Sequence, residues 1–412
     1  MTDEQRMGVR DMLALTAPTL GFATALSLVT SYLPLILQNY TDSATLIGFA
    51  IGGEGIFSSL IPLFVGVLSD RIWTKHWGRR RPFMVFAAPF MATSLILAPL
   101  QTSYGTIALS TFIFFAAYHF YTSPYQSLLP DVTPPGFHGR VQGFQGLMRG
   151  GGMFLGMVVL GVLFGWWQPS PFILCGVLIL GLTYWTVHKV QEPEPDRSAL
   201  PEREGLLAEV RRIWHSIRQY KEIQRFMVAT FLWESTLAGL RPFIMLYFTH
   251  SLGVSVRTGA LLLGLVGVTY LVAALASGFL ADRYGRLRMM RVGLWIYLAG
   301  CLFGFFVRDV RWTFAFLPIF GLGGSIVLTL PYAILIPLMP KEHIGQFTGL
   351  FSMTRGFANI LAPVIAGGVI DLFGHYLGPG RQYTVIWLLA AIMIVISLFF
   401  FRGAGHEKMV NV

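Results

Sequence analysis

Gly66 to Phe83 reads GVLSDRIWTKHWGRRRPF, and the fold is decided on how this stretch is read. An apolar run leads into it, Asp70 and Arg71 open its polar part, and Arg79, Arg80 and Arg81 close it before Pro82. The apolar segments on both sides are too long for the helices of a globular core, which puts this loop at a membrane surface. A shortened copy, GFLADRYGRLRMM, recurs at Gly278 to Met290, again directly after an apolar run. Two copies of one surface loop indicate a duplicated membrane protein.

Composition agrees. Apolar residues make up 54% of the 412 and charged residues 12%, the balance expected where helices sit in lipid. Cys175 and Cys301 both fall inside apolar segments, so they read as packing residues and not as a disulfide framework or metal site. The start, MTDEQRMGVRDM, carries charges of both signs and no cleavage pattern, so the first apolar run is expected to stay as a helix.

A bilayer-crossing helix needs about 20 mostly apolar residues. On that template the sequence predicts twelve spans, roughly at 12–38, 43–69, 82–100, 104–129, 140–165, 170–189, 225–250, 256–280, 291–307, 312–338, 344–373 and 382–401. With the N-terminus inside, 23 of the 30 Lys and Arg fall on the cytoplasmic side, four lie in external loops and three lie within spans. Basic residues collect on the cytoplasmic side, so both chain ends are expected there, in a multi-pass protein of the cell membrane. The formal net charge of +10 is then a topology signal, and a nucleic-acid partner is not expected.

Internal repetition defines two halves. SPYQSLLP at 123–130 matches LPYAILIP at 330–337, shifted by 207. A shift of 206 brings Gly139, Gly143, Arg149 and Gly150 onto Gly345, Gly349, Arg355 and Gly356. The two loops agree as well, since Asp70 maps to Asp282 and Gly78 to Gly285. The sequence therefore predicts an all-α membrane protein with a six-helix bundle at 1–190, a cytoplasmic linker at 191–224 and a second bundle at 225–412. In the linker, Leu206, Val210, Ile213, Ile217 and Tyr220 share one helical face, as expected of a helix lying on the inner membrane surface.

The pattern G-x-L-x-D-R followed by G-R-R-R-P, with its degenerate second copy, resembles the signature of the major facilitator superfamily. More narrowly, GFATALSLVTSYLPLIL at 21–37, SDRIWTKHWGRRRPF at 69–83 and SPYQSLLPDV at 123–132 resemble the sucrose transporters and their glycoside–cation symporter relatives. Two positions depart from that group: Gln126 stands in place of its arginine, and Phe115 falls near the place of its embedded aspartate. The resemblance implies twelve helices in two pseudo-symmetric bundles, alternating access and a site between the halves.

The loop residues also have a physical reading of their own. Asp70, at the end of the second span, can accept hydrogen bonds from a facing segment, while Arg71, Arg79, Arg80 and Arg81 can reach acids or lipid phosphates. Asp131 and Arg140, between the fourth and fifth spans, are the nearest candidate partners. With Gly66 and Gly78 as the loop's small residues, and Asp282, Arg283, Gly285 and Arg286 in the second copy, these form a candidate gate. A plain topology anchor is the alternative.

Six ionisable residues lie inside spans, where a charge costs roughly 2.5–3.5 kcal/mol and usually faces a cavity or a partner. At 1.5 Å per residue His119, Arg149, Glu234 and Arg355 lie about 13–17 Å from the cytoplasmic ends of their helices, and Glu54 and Arg241 about 24 Å. Arg149 and Arg355 suit an anionic or hydroxyl-rich ligand, because a guanidinium offers five donors and stays charged; structural pairing with a carboxylate is equally open. Glu234 is the leading candidate proton carrier and Glu54 the second, with a Glu54–Arg241 lock as the alternative for the latter. His119 either relays protons or is held among Tyr118, Tyr121 and Tyr125. Tyr32, Tyr118, Tyr121, Trp233 and Tyr332 lie at depths where they could stack on a ligand ring or simply pack, and Asn359 adds an amide to the eleventh span. Gly152, Gly156, Gly161 and Gly165 are expected to permit close helix contact.

No nucleotide loop, metal-ligand spacing or nucleophile arrangement appears, so neither an enzyme nor an ATP-driven pump is expected. The reading is a monomeric secondary transporter without cofactor, using protons as coupling ion. Its substrate is a small solute such as a sugar or glycoside, with an exporter of drugs, lipids or metabolites as the alternative.

Overall fold

The computed structural model describes residues 7–74, 77–134, 136–192, 220–339, 344–378 and 380–402, with backbone only at 63, 66, 67, 70, 71, 344–346 and 402. The linker helix expected near 206–220 and the side chains of Asp70 and Arg71 lie outside the described residues.

Among these residues twelve long helices follow one another: α1 (Val9–Leu37), α2 (Ala44–Arg71), α3 (Arg81–Leu97), α4 (Tyr104–Val132), α5 (His138–Phe164), α6 (Ser170–Lys189), α7 (Lys221–Leu240), α8 (Val256–Tyr284), α9 (Arg286–Phe306), α10 (Thr313–Thr329), α11 (Ile344–Phe373) and α12 (Val385–Arg402). Ten of them are long and apolar enough to cross a membrane. The two below that measure are α4 and α7, which carry His119 and Glu234 in their middles. Local signals set several ends: the hydroxyl of Ser103 accepts from the Thr106 N–H at the start of α4, and Ser255 does the same for Thr258 at α8.

Two spans are broken where the sequence predicts continuous helices. The seventh stops at Leu240, and after a turn at 241–243 it resumes as Ile244–Leu246 and a wide turn at Tyr247–Ser251. Pro242 is the cause, since it has no N–H to give the ladder and its ring crowds the preceding turn. The tenth stops at Thr329 and resumes at Pro331–Leu335, again on a proline.

The chain divides into two compact units, Met1–Asp42 with Gly53–Ala199, and Ser43–Gly52 with Leu200–Val412. In the first, α1 packs on α5 and α6, and α3 packs on α4 and α6. Gly156 lets α5 approach closely, for a Cβ there would stand 2.5 Å from the Thr24 carbonyl oxygen of α1. Polar side chains then stitch the helices: Tyr125 bonds Thr19 and the Leu15 carbonyl at 2.9 and 3.0 Å, Tyr121 bonds Thr183 at 2.9 Å, and Thr186 donates to the Ala14 carbonyl at 2.7 Å. Within a membrane each such bond contributes about 0.6 kcal/mol on average.

In the second unit α7 packs on α11 and α12, and α10 on α8 and α9. Trp387 is fully buried, with Phe316, Phe320 and Tyr247 meeting its ring edge-on at 5.1–5.5 Å. This unit also holds the first turns of α2. Gly48 lies so near α11 that a Cβ would stand 2.1 Å from the Pro363 carbonyl oxygen. The Asp371 carboxylate, in the last turn of α11, accepts from the N–H groups of Ala44 and Thr45 at 2.7 and 2.9 Å.

Candidate functional site

The second unit concentrates charge inside the span of α7 and α11. Arg355 Nε lies 2.8 Å from Glu234 Oε1; the glutamate side chain is 11% exposed and the arginine 53%. Arg241, which ends α7 at its proline break, acts electrostatically on the same glutamate and on Tyr270 of α8. Around this pair Thr236 donates to the Tyr297 hydroxyl at 2.9 Å, and Ser325 donates to the Tyr270 carbonyl at 2.8 Å. Ser235 Oγ and Trp233 Nε1 are buried with no hydrogen-bond partner among the described residues. Trp233 itself is fully buried against Phe226 and Phe401 at 5.7 and 6.0 Å, a packing position.

A polar stripe extends from Arg355 along α11. Thr348, Ser352, Arg355 and Asn359 follow at helical spacing, none of them buried, and Tyr332 bonds Thr348 at 3.3 Å. The first unit carries the matching stripe on α5. Gln142, Gly146, Arg149 and Gly150 are all exposed, and a Cβ on either glycine would meet nothing within 4 Å. Faces turned to lipid are ordinarily filled with large apolar side chains, so an arginine and a glutamine set among glycines are unusual for such a face. At the shift of 206, Gln142 answers Thr348, Gly146 answers Ser352 and Arg149 answers Arg355. One turn before Arg149, Gln145 donates at 3.1 Å to Gln126, the residue that departs from the sucrose-transporter pattern.

The first unit has its own buried acid–base contact. His119 Nε2 of α4 stands 3.8 Å from Glu54 Oε1 of α2, with side-chain exposures of 10% and 16%. The tyrosines expected around His119 divide their roles. Tyr118 packs edge-on against the imidazole at 4.9 Å, while the hydroxyls of Tyr121 and Tyr125 are engaged with α6 and α1. Tyr32 is buried, donating to the Met157 carbonyl, whereas Tyr332 is 40% exposed.

The loop between α2 and α3 is a compact charged knot. Arg79 and Arg80 converge on Asp131 at 2.7 and 3.2 Å, and Arg80 also reaches Ser69. Glu192, just past α6, accepts from the backbone N–H groups of Arg79, Arg80 and Arg81 at 2.8–2.9 Å, where a carboxylate is favoured by the positive end of α3. The turn needs Gly78, whose φ is +71°. Arg140 stands apart, over the Phe137 ring at 5.3 Å. In the second copy Gly285 has φ +90°, Asp282 and Arg286 are 3.8 Å apart and solvent-exposed, Arg286 donates to the Ala333 carbonyl at 2.9 Å, and Arg283 lies over Tyr284.

Three of these participants carry no signal in the sequence. Glu192 sits in a proline-rich linker, Asp371 at an unremarked helix end, and Tyr270 in a uniformly apolar run; each acquires its role only through what folds beside it. Among the described residues no group of three His, Cys, Asp or Glu assembles that could hold a metal.

Comparison with known proteins follows the same lines. A family model described as the Major Facilitator Superfamily matches residues 19–247 and 226–411. An uncharacterized MFS-type transporter of Bacillus subtilis, YxiO, is 27% identical over 201 residues, 48% of this chain and 44% of that protein. A multi-drug resistance efflux pump PmrA homolog of Lactococcus lactis is 21% identical over 363 residues, 85% of this chain and 86% of that one. For the first two curated relatives the matched stretch spans less than half of their length. Among solved structures, a bacterial homolog of the human lysosomal transporter Spinster, inward-facing and occupied, aligns with a TM-score of 0.77 at 15% identity over 97% of both chains.

Proposed function

Because this chain belongs to the Major Facilitator Superfamily, we propose that it is a secondary active transporter working by alternating access, coupled to protons. The observation that carries the coupling is the Glu234–Arg355 pair, a carboxylate and a guanidinium in contact inside the span, with the arginine half exposed. Such a pair has two stable states. Either the carboxylate is ionised and bound to the arginine, or the arginine is engaged by solute and the carboxylate holds a proton. Loading the solute and loading the proton thereby become one event. The proton is the only coupling ion required, no cofactor takes part, and the monomer is the working unit.

The solute is a small polar molecule such as a sugar or glycoside. Support comes from the open polar stripes on α5 and α11, with hydroxyl, amide and guanidinium groups at one helical spacing, and from the sucrose-transporter-like loop. A second reading, an exporter of drugs, lipids or metabolites, draws on the relative that matches nearly end to end and is named an efflux pump. The charged knot at Arg79, Arg80 and Asp131 serves as the cytoplasmic latch in either reading.

Counterflow into proteoliposomes tests this directly, using a labelled sugar panel beside a dye-efflux assay, both run with and without an inward proton gradient. Gradient-driven accumulation of a panel member supports import and gradient-driven dye extrusion supports export. A solute flux indifferent to the gradient in both assays would remove proton coupling.

A further inference from the structure

Resting on the transporter reading, and narrowing its small polar solute to an acid such as a sugar acid or sugar phosphate, we propose that the solute is an anion, taken by Arg355 through a carboxylate or a phosphate. Among the described residues the cluster in the second unit holds one carboxylate, Glu234, and two guanidiniums, Arg355 and Arg241, with Tyr270 and Tyr297 as its other titratable neighbours. The cluster thus carries a surplus of one positive charge inside the span, where charge is costly and a further positive charge more so.

The geometry leaves room for an anion. Glu234 engages Arg355 through Nε, which leaves the two terminal nitrogens on a side chain that is 53% exposed. Those nitrogens form the fork that binds a carboxylate or phosphate by two parallel hydrogen bonds. The hydroxyl of Ser352 and the amide of Asn359 stand on the same face, one turn to each side; the amide can donate to the rest of the molecule, and the hydroxyl, which gives its hydrogen to the Thr348 carbonyl at 3.1 Å, can accept from it.

The first unit carries a second arginine of this kind: Arg149 is exposed in the middle of α5 and has no carboxylate within ion-pair distance among the described residues. When a solute takes Arg355 from Glu234 and the carboxylate binds one proton from solution, a neutral sugar would raise the positive charge of the cluster by one, whereas an anion with one acidic group leaves it unchanged. Solute and proton then cross together with no net charge.

The test uses three probes on one carbon skeleton, gluconate, glucose 6-phosphate and glucose, with the full-length protein in nanodiscs and thermal unfolding as the readout. One of the two acids is expected to stabilise saturably and glucose is not; which acid does so separates carboxylate from phosphate. Arg355→Gln is expected to weaken that binding roughly 10- to 100-fold, with Arg355→Lys in between as a variant that keeps the charge and the fold. Glucose stabilising as well as its acids, no response to either acid, or unchanged binding in both variants would overturn the proposal. Counterflow of the same probes keeps this separate from the transporter reading. Arginine-dependent acid binding without counterflow would sink that reading and leave this one, and counterflow of glucose in preference to both acids would do the reverse.

Discussion

The hydroxyl of Thr45, in the first turn of α2, donates a 2.6 Å hydrogen bond to Asp371, 326 residues later in the last turn of α11. The same carboxylate takes the N–H groups of Ala44 and Thr45 and the Ser43 hydroxyl, so one side chain caps the start of α2. Asp371→Ala should therefore lower the unfolding temperature in detergent by a few degrees, equivalent to about 1 kcal/mol for a lost cap. Asp371→Asn, which keeps one acceptor, should lose less. An unchanged melting curve for both variants would mean that the cap carries no stability.

Glu234→Gln removes the proton-binding group but keeps an amide oxygen facing Arg355. Gradient-driven accumulation should fall at least about tenfold, while exchange of labelled for unlabelled solute, which needs no net proton movement, should persist. Retained accumulation would take Glu234 out of coupling.

Asp131 gathers two arginines at 2.7 and 3.2 Å. Asp131→Asn replaces a charge-assisted contact by a neutral one, so the latch closes less firmly. Turnover should drop roughly tenfold with solute affinity changed by less than about threefold, since the residue lies far along α4 from His119. A change confined to affinity would place Asp131 in binding and not in gating.

Two glycines of α5 give a stability contrast. At Gly156 a new side chain would collide with the α1 backbone, so Gly156→Ala should destabilise by about 1–3 kcal/mol and reduce yield. At Gly150 there is open space, so Gly150→Ala should melt within about 0.5 kcal/mol of wild type, as expected of a surface change. Equal behaviour of the two variants would contradict the helix contact described here.

Much of the helical arrangement was legible in advance because lipid leaves the backbone few choices: each long apolar run must satisfy its own N–H and C=O groups, and a helix does so. The breaks at Pro242 and Pro331 are not legible from hydropathy, because apolar residues continue through both and a count of hydropathy does not register a missing donor. At the candidate site, depth along each helix is readable from the 1.5 Å rise, which places Glu234 and Arg355 at similar depths. That they touch each other, while Glu54 touches His119, was not readable.

What sequence determined by itself is whatever one helix decides locally: the spans, the duplicated loop, the matched arginines at 149 and 355, and the family. Only tertiary structure decided partnership. Glu192 closing the turn at Arg79–Arg81, Asp371 capping α2, and Arg355 dividing its guanidinium between Glu234 and open space all join segments far apart in the chain. A buried charge accepts whichever donor or acceptor the packing of its neighbours delivers within about 3 Å, and no periodicity records that choice.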